Sequence, residues 1–246
     1  MNAHARFRLG LFSVSALGLA AVLGWGIAGL PSFGHYPGPY GDLISQLVKP
    51  QRHVANAVTA TVFDYRGFDT LGEETILLAA ACATAMLLRE TRESSVHGIA
   101  ERVQSDALRV VGAAASVAVL VLGLQVVAHG FLTPGGGFQG GVVLSAAFLL
   151  VFLAAEYRMF HLLTREQLAE PLEASGVAGF VVLGLISFAY GLAFLQNFLP
   201  FGTYNTLLSA GSLPLVNWSS GLAVGGALLV IYGEYLQEAM AARHGR

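Results

Sequence analysis

The stretch LFSVSALGLAAVLGWGIAGL, residues 11–30, carries no charged side chain. A helix needs about 20 mostly apolar residues to cross the hydrocarbon core of a bilayer, so this stretch predicts a membrane span. The whole chain has the same character, because 55% of its 246 residues are hydrophobic and 11% are charged. A typical soluble domain is roughly 25% charged. Together with a mean hydropathy of +0.64, these values predict an all-α integral membrane protein.

Composition also excludes or disfavours other classes. The apolar content excludes a disordered chain, and a single cysteine, Cys82, excludes a disulfide scaffold. A net charge of −2 without a basic stripe argues against nucleic acid as a partner. Arg6 and Arg8 precede the first apolar run as in a secretory signal, but that run is longer than usual and favours an uncleaved span.

Five further apolar runs follow the first. Residues 107–128 and 174–195 are long enough to cross the membrane unaided. Shorter runs lie at residues 75–88, 141–155 and 219–232. At 1.5 Å per residue these three form helices of only about 21–23 Å, so each must take residues from its flanks. We therefore predict six transmembrane helices.

The short runs draw polar residues toward the membrane. The second helix must begin near Asp69, and the fourth must begin within residues 134–141. The sixth must extend to about Leu236 and so includes Glu234, whose carboxylate we expect to be solvated. The other three spans are nearly free of polar groups, and no mid-span series of lysines or glutamates of the kind a proton pump uses is evident.

Basic residues are distributed unevenly between the two sides of the membrane. Lys49, Arg52 and Arg66 fall on one side, and the other ten of the 13 fall on the opposite side. Lys and Arg accumulate in cytoplasmic loops. We therefore predict that both termini are cytoplasmic and that the loops at residues 31–68, 129–140 and 196–218 face outward.

The chain divides near residue 100. Residues 89–106 are the most charged stretch and predict a solvated linker between a two-span module, residues 1–100, and a four-span module, residues 101–246. Within the first module, residues 53–65 contain an alternation of β-branched side chains. This pattern is open to a strand or to a segment at the membrane interface.

The segment DYRGFDTLGEE, residues 64–74, gathers charges at the start of the second span. Asp69 and Glu73 share one helical face, and Arg66 is one turn before Asp69 and can pair with it. In a structural interpretation, Thr70 caps the helix and Glu73 completes a capping box. In a functional interpretation, the carboxylates line a proton or cation route, because carboxylates in a partly dry site exchange protons or bind hard cations.

The segment TPGGGFQGG, residues 133–141, leads into the fourth span. It formally contains G-x-G-x-x-G, but a dinucleotide fingerprint follows a strand, and here a transmembrane helix comes first. The glycines favour tight turning, close helix packing or a broken helix beside a polar cavity. His129 and Gln139 flank the segment, and His129 is either a structural residue or a proton relay.

The segment LPLVNWSSGLAVG, residues 213–225, leads into the sixth span. Asn217 and Ser219 are placed to cap that helix, and Trp218 suits the aromatic belt. No metal-ligand spacing and no catalytic motif occurs in the chain. We therefore expect no cofactor and no enzymatic site.

These segments together resemble a known family. Residues 65–73, YRGFDTLGE, are similar to the motif of the small E-type subunit of membrane-bound hydrogenases, a module that also ends the large MnhA-type subunit of Mrp cation/proton antiporters. Residues 134–141, PGGGFQGG, are similar to the signature of the MnhB subunit of Mrp-type Na⁺/H⁺ antiporters, whose hydrogenase counterpart is the F-type subunit. Asn217 and residues 221–225 resemble the MnhB pattern too. Two spans followed by four match the two modules in order.

The resemblance implies a membrane subunit of a complex I-like assembly that exchanges Na⁺ or another monovalent cation for protons. It implies other membrane subunits as partners and the inner (cytoplasmic) membrane as the location. By resemblance, Asp69 and Glu73 are the best ion-path residues, and the glycine motif is an architectural element between subunits. The chain departs from the family at Ala223, where relatives often carry lysine, and in its fusion of the two modules.

Three hypotheses follow. The first is an ion-path subunit of an Mrp-type antiporter, the second is a membrane-arm subunit of a hydrogenase or other oxidoreductase, and the third is a purely structural scaffold. The lack of a mid-span charge series favours the third. The ion-path candidates are Asp69, Glu73, Glu74 and His129. The expected structural residues of the motifs are Arg66, Gly67, Gly135, Gly136, Gly137, Gln139, Gly140, Gly141 and Asn217.

Overall fold

The computed structural model describes residues 3–30, 34, 38–90, 105–163 and 166–244, and within these ranges all regular secondary structure is helical. The chain forms two compact units, Met1–Leu43 and Ile44–Arg246. The elements in chain order are α1 (Ala3–Ala28), α2 (Pro39–Arg52), α3 (Ala57–Ala60), a π-helical turn (Thr61–Tyr65), α4 (Gly67–Glu90), α5 (Asp106–Ala128), α6 (Gly137–Leu163), α7 (Glu166–Ala189) and α8 (Leu213–His244).

Six helices among the described residues are long and apolar enough to cross a membrane, as predicted. They are α1, α4, α5, α6, α7 and α8. Helix α4 begins at Gly67 and α6 begins at Gly137. The short apolar runs of α4 and α6 therefore gain length from the polar flanks that precede them, as the thickness of the bilayer requires.

Two predicted helix limits were wrong. Helix α8 begins at Leu213, six residues before its apolar run, so Asn217 lies inside the helix. Helix α7 begins at Glu166 and ends at Ala189 rather than at residue 195. The chain turns after α7 through positive φ angles of 70° at Gly191 and 62° at Leu195, which a right-handed helix does not permit.

The strand interpretation of residues 53–65 was also wrong. This segment forms α3 and the π-helical turn that leads into α4. Asn56 explains the start of α3, because its side-chain Oδ1 accepts hydrogen bonds from the backbone N–H groups of Val58 and Thr59. An asparagine in this position is a strong signal for a helix start.

Helix α8 forms the centre of the second unit and packs against α4, α6 and α7. It is the most buried of the six apolar helices. Small residues permit the close approach. A Cβ atom on Gly141 of α6 would lie 2.9 Å from the backbone N of Gly225, and one on Gly226 would lie 2.7 Å from the Cα of Glu173 in α7. Such small-residue interfaces are typical of helix packing in membranes.

Candidate functional site

The loop between α5 and α6, residues 129–136, is held by Asn217 from inside α8. The Asn217 Nδ2 donates to the carbonyl of Val127 at 2.5 Å, and its Oδ1 accepts from the N–H of Gly137 at 2.5 Å. The side chain is fully buried. Asn217 therefore joins the end of α5 to the start of α6. The prediction that it caps α8 was wrong, because α8 begins four residues before it.

The backbone conformation of this loop and its close contact with α8 both require glycine. Gly135 and Gly136 both have φ angles of +154°, a conformation that side-chain-bearing residues rarely adopt. A Cβ atom on Gly137 would lie 2.6 Å from the Cβ of Ser220 and 2.9 Å from the N of Gly221. The start of α6 thus contacts the backbone of α8 directly.

The next two glycines pack α6 onto its neighbours. A Cβ atom on Gly140 would lie 2.9 Å from the backbone N of Val127 in α5, and one on Gly141 would lie 2.8 Å from the carbonyl O of Gly221 in α8. The predicted close helix packing by the glycine motif is confirmed within this chain.

Asn56 binds the same loop from the opposite direction. Its Nδ2 donates to the carbonyls of Gly130 at 2.7 Å and Thr133 at 3.0 Å. The Thr59 hydroxyl also donates to the Gly130 carbonyl, at 2.6 Å. Sequence reasoning missed Asn56, although an asparagine directly before a short helical segment was the available signal.

A partly open cavity of about 200 Å³ lies where α3 and the start of α4 meet the glycine loop. It brings together the two motif segments, since Glu73 and Thr70 share its wall with the backbone of Gly135 and Gly136 and with Gln139. The other lining residues are Val58, Thr59, Val62, Phe63 and Phe138. Its polar groups are oxygen-rich and include one carboxylate, which is the ligand chemistry that suits hard cations.

Thr70 does not cap α4. It lies one turn inside the helix, is buried, and donates from its hydroxyl to the Val62 carbonyl in the π-helical turn at 2.6 Å. The predicted capping box was therefore wrong, because α4 begins three residues earlier, at Gly67. The Glu73 side chain is exposed on the cavity wall instead.

Asp69 lies outside the cavity. It pairs with Arg66 one turn earlier, as predicted, and both side chains are at least half exposed. Such an exposed pair contributes little to stability. Gly67 begins α4, and a Cβ atom there would contact the side chain of Leu195 at 3.5 Å.

Glu74 points away from Glu73, because successive residues of a helix are about 100° apart. It is only 1% exposed, and the polar group beside it is the hydroxyl of Ser220 in α8. Neither carboxylate oxygen of Glu74 has a hydrogen-bond partner of good geometry among the described residues. The two adjacent glutamates therefore occupy different environments.

His129 ends α5 and does not line the cavity. Its backbone N–H bonds the carbonyls of Gln125 and Val127, and its Nδ1 lies 3.3 Å from the Gln125 carbonyl. The structure thus places His129 in a helix-terminating role and does not bring it together with Asp69, Glu73 or Glu74.

Glu234 is buried rather than solvated. Its Oε1 lies 2.7 Å from the Nε of Arg89, and the Nη2 of the same arginine lies 2.8 Å from the Oε1 of Glu170. Arg89 therefore connects the ends of α4 and α8 with the start of α7. The expectation of a solvated carboxylate was wrong because α4 places a cation beside it, a contact that hydropathy does not reveal.

A further ion pair lies outside the membrane-spanning helices. Arg52 Nε is 2.6 Å from Asp64 Oδ2 in the π-helical turn, and the Arg52 guanidinium also lies over the rings of Tyr65 and Phe201. Burial raises the pKa of the Asp64 carboxyl, and the Arg52 charge opposes that shift. This pair fixes the turn from which α4 starts.

Residues 107–230 match the family described as a domain related to the MnhB subunit of Na⁺/H⁺ antiporter. The chain belongs to the MnhB-related family. This MnhB-related chain is also 29% identical over 192 residues to an uncharacterized protein of Methanocaldococcus jannaschii, with 70% of this chain and 73% of that protein covered. The predicted resemblance to the MnhB subunit of Mrp antiporters is confirmed.

Two solved complexes contain similar chains. One is the membrane-bound sulfane sulfur reductase, an archaeal respiratory membrane complex, where the match is 31% identical with a TM-score of 0.73 over 94% of this chain and 98% of that chain. The other is the Mrp complex from Dietzia sp. DQ12-45-1b, where the match is 21% identical with a TM-score of 0.69 over 95% of this chain. The MnhB-related chain spans 26% of that Dietzia chain.

The family and the six apolar helices identify a multi-pass membrane protein of the MnhB kind. Among the described residues no group of His, Cys, Asp or Glu side chains is arranged to hold a metal ion. The polar residues of the cavity wall are Thr59, Thr70, Glu73 and Gln139, beside the apolar side chains of Val58, Val62, Phe63 and Phe138.

Proposed function

We propose that the chain is a membrane subunit of an Mrp-type assembly that exchanges Na⁺ or another monovalent cation for protons, and that it lines part of the ion path. The observation that carries this proposal is the cavity that joins Glu73 to Gly135, Gly136 and Gln139. It brings the E-type and MnhB-type motifs together around one cavity of mixed apolar and polar lining at the start of α4.

The cavity suits a partly hydrated monovalent cation. Glu73 supplies a carboxylate, Gln139 an amide and Thr70 a hydroxyl oxygen. The cavity is partly open, so an arriving cation keeps some of its water and exchanges the rest for these oxygens. Release is favoured when the carboxylate takes up a proton, because the negative charge that holds the cation is then removed.

A second candidate function is supported by the match to the sulfane sulfur reductase chain, which extends over 98% of that chain. In this version the same ion path belongs to a redox-driven assembly, and the redox chemistry takes place in other subunits. In either version we propose that the chain holds no cofactor and catalyses no reaction of its own. Co-purification of iron–sulfur or nickel–iron subunits separates the two versions.

The arrangement in the membrane is part of the proposal. We propose cytoplasmic termini, the inner membrane as the location, and neighbouring membrane subunits of the assembly as partners. We also propose that residues 1–100 and 101–246 are the two modules. Their junction near residue 100 lies outside the described residues.

The test compares Glu73→Gln with Asp69→Asn in the assembled complex. Both changes neutralise one carboxylate of the same segment, but only Glu73 lines the cavity. Na⁺-dependent dequenching of a pH-sensitive dye in inverted vesicles is the readout. We expect Glu73→Gln to lose most of the exchange and Asp69→Asn to retain it. Normal assembly with full exchange in Glu73→Gln contradicts the ion-path role, and failure of assembly favours the scaffold role.

A further inference from the structure

Three glutamates inside the apolar helices are buried within this chain and take no part in the cavity. Glu74 of α4, Glu173 of α7 and Glu234 of α8 are 1%, 4% and 2% exposed. They lie on three different helices, so none of them forms a series within one span. Ionisable residues at membrane depth are costly and typically line ion or proton routes.

Glu74 forms the first position of the series. The Ser220 hydroxyl of α8 is the hydrogen-bonding group beside its buried carboxylate. The neighbouring charge that acts on Glu74 is that of Glu73, which faces the cavity. Glu74 thus lies directly behind the proposed cation site.

Glu173 forms the second position. It lies where α7 passes Gly226, at a spacing that only a glycine permits. One carboxylate oxygen, Oε1, has no hydrogen-bond partner among the described residues, and the charge that acts on Glu173 is that of Glu170, one turn earlier. Glu173 is in none of the ion pairs between described side chains.

The third position is the cluster of Arg89, Glu170 and Glu234. Here the carboxylates share one guanidinium at 2.7 and 2.8 Å. The cluster joins all three helices, and the Arg89 and Glu170 side chains are 34% and 47% exposed. It therefore opens toward the surface at the end of α4.

The three positions follow one another along α8. Ser220, Gly226 and Glu234 are separated by six and eight residues, which is about 9 and 12 Å of helix. Together they extend about 21 Å along α8. For comparison, the hydrocarbon core of a bilayer is about 30 Å thick. On α4, the interval from Glu74 to Arg89 is about 22 Å, in agreement.

Apolar side chains fill the space between the last two positions. This cluster consists of Ala81, Ala85, Ala169, Ala227, Leu229 and Val230. Leu77, Phe148 and Ile231 pack against this cluster, so the region between the last two positions is lined by apolar side chains.

We propose that the interface of α4, α7 and α8 is a proton path in which Glu74, Glu173 and the Arg89–Glu170–Glu234 cluster are successive proton-exchanging sites. A neutral carboxyl at Glu74 gives its proton to transient water, the water passes a proton to the Glu173 carboxylate, and Glu173 passes it on to Glu170 or Glu234. Each site returns to its starting form once it has received and released one proton. The proton path is a more detailed form of the proposed transport function. Its physiological direction depends on that function.

A purely structural role explains this arrangement less well. A buried ion pair such as Arg89 with Glu234 can be structural, but a buried carboxyl without a partner costs free energy that a glutamine or an apolar residue would not. Glu74 has the Ser220 hydroxyl beside it but is in none of the ion pairs between described side chains, and the Oε1 of Glu173 has no hydrogen-bond partner among the described residues.

The test uses Glu74→Gln and Glu173→Gln in the assembled complex, with Glu238→Gln as the matched control on α8, one turn beyond Glu234. Two fluxes are followed in inverted vesicles: proton movement by a pH-sensitive dye and cation movement by radioactive Na⁺. We expect both variants to lose most of the Na⁺-coupled proton flux and the control to retain it. Wild-type proton flux in both variants with normal assembly overturns the path.

Carbodiimide labelling provides a measurement that needs no variant to assemble. A hydrophobic carbodiimide modifies carboxyl groups that exchange protons in an apolar environment, and mass spectrometry locates the modified residue. We expect labelling of the wild-type complex at Glu74 and Glu173 that decreases as the pH rises. Absence of labelling at both overturns the path.

The two proposals fail separately. If Glu73→Gln abolishes exchange but Glu74→Gln and Glu173→Gln do not, the ion-path function stands and the proton path through this interface is rejected. If the Glu73 variant is fully active while the Glu74 and Glu173 variants are not, the cavity is rejected and the interface stands.

Discussion

Asn217 bridges the two ends of the glycine-rich loop, and Asn56 binds carbonyls within the same loop. Asn56 donates to the carbonyl of Gly130, and Asn217 accepts from the N–H of Gly137. The two asparagines are 161 positions apart in the chain. The loop that lines the cavity therefore takes its shape from side chains of α8 and of the segment before α3.

Replacing Asn217 by alanine is expected to destabilise the protein strongly. The change leaves the Val127 carbonyl and the Gly137 N–H buried without this partner, at a cost of about 1–3 kcal/mol for each group. The measurement is the midpoint of thermal unfolding of the purified complex. Ser219→Ala, on the same helix, is the control. A midpoint equal to that of the control contradicts the assigned role of Asn217.

Replacing Asn56 by alanine is expected to have a smaller effect. The residue is half-buried, and loss of a helix N-cap costs about 1 kcal/mol. Hydrogen–deuterium exchange should be faster for the amides of residues 130–137 in this variant. Because both asparagines bind one loop, the double variant should be less destabilised than the sum of the single variants. Strict additivity would indicate that the two residues act independently.

Replacing Gly137 by alanine should force α6 away from α8. The added methyl group would lie 2.6 Å from the Cβ of Ser220, and overpacking of this kind costs about 1–3 kcal/mol. Gly72→Ala is the matched control, since a Cβ atom on this α4 residue meets nothing within 4 Å. The control should be neutral or more stable by about 0.5–1 kcal/mol, because alanine favours helix. Equal stability of the two variants would contradict the close approach.

Replacing Arg89 by glutamine should destabilise the end of α4 by about 3 kcal/mol, because Glu234 is buried and loses its cation. Adding Glu234→Gln should restore most of the loss, since the buried charge is then removed as well. Thermal unfolding of the single and double variants gives both values. If the second change makes the protein less stable still, the free energy does not come from the ion pair.

The sequence predicted the architecture because the bilayer imposes one length on every span. The short runs had to lengthen into polar flanks, and α4 and α6 do so at Gly67 and Gly137. The pair of Arg66 with Asp69 was predictable for a similar reason, since residues three apart on one helix are neighbours.

The site was less predictable because its contacts join distant segments. The fifth apolar run begins at residue 174, so a prediction from hydropathy starts the span one residue after Glu173 and misses it. The packing of α7 against Gly226 shows that this glutamate is buried between the helices. The burial of Glu234 was not predicted for a similar reason, because its partner Arg89 is 145 positions away in the chain.

The orientation of Glu73 and Glu74 has a consequence for coupling. The two carboxyl groups are neighbours in the chain, and the charge on Glu73 acts on Glu74. A negative charge on one makes a negative charge on the other more costly. A cation that neutralises Glu73 thereby favours release of a proton from Glu74, and loss of that proton strengthens cation binding by the same factor, as thermodynamic linkage requires. In the proposed mechanism, two adjacent residues would thus couple the movements of two different ions.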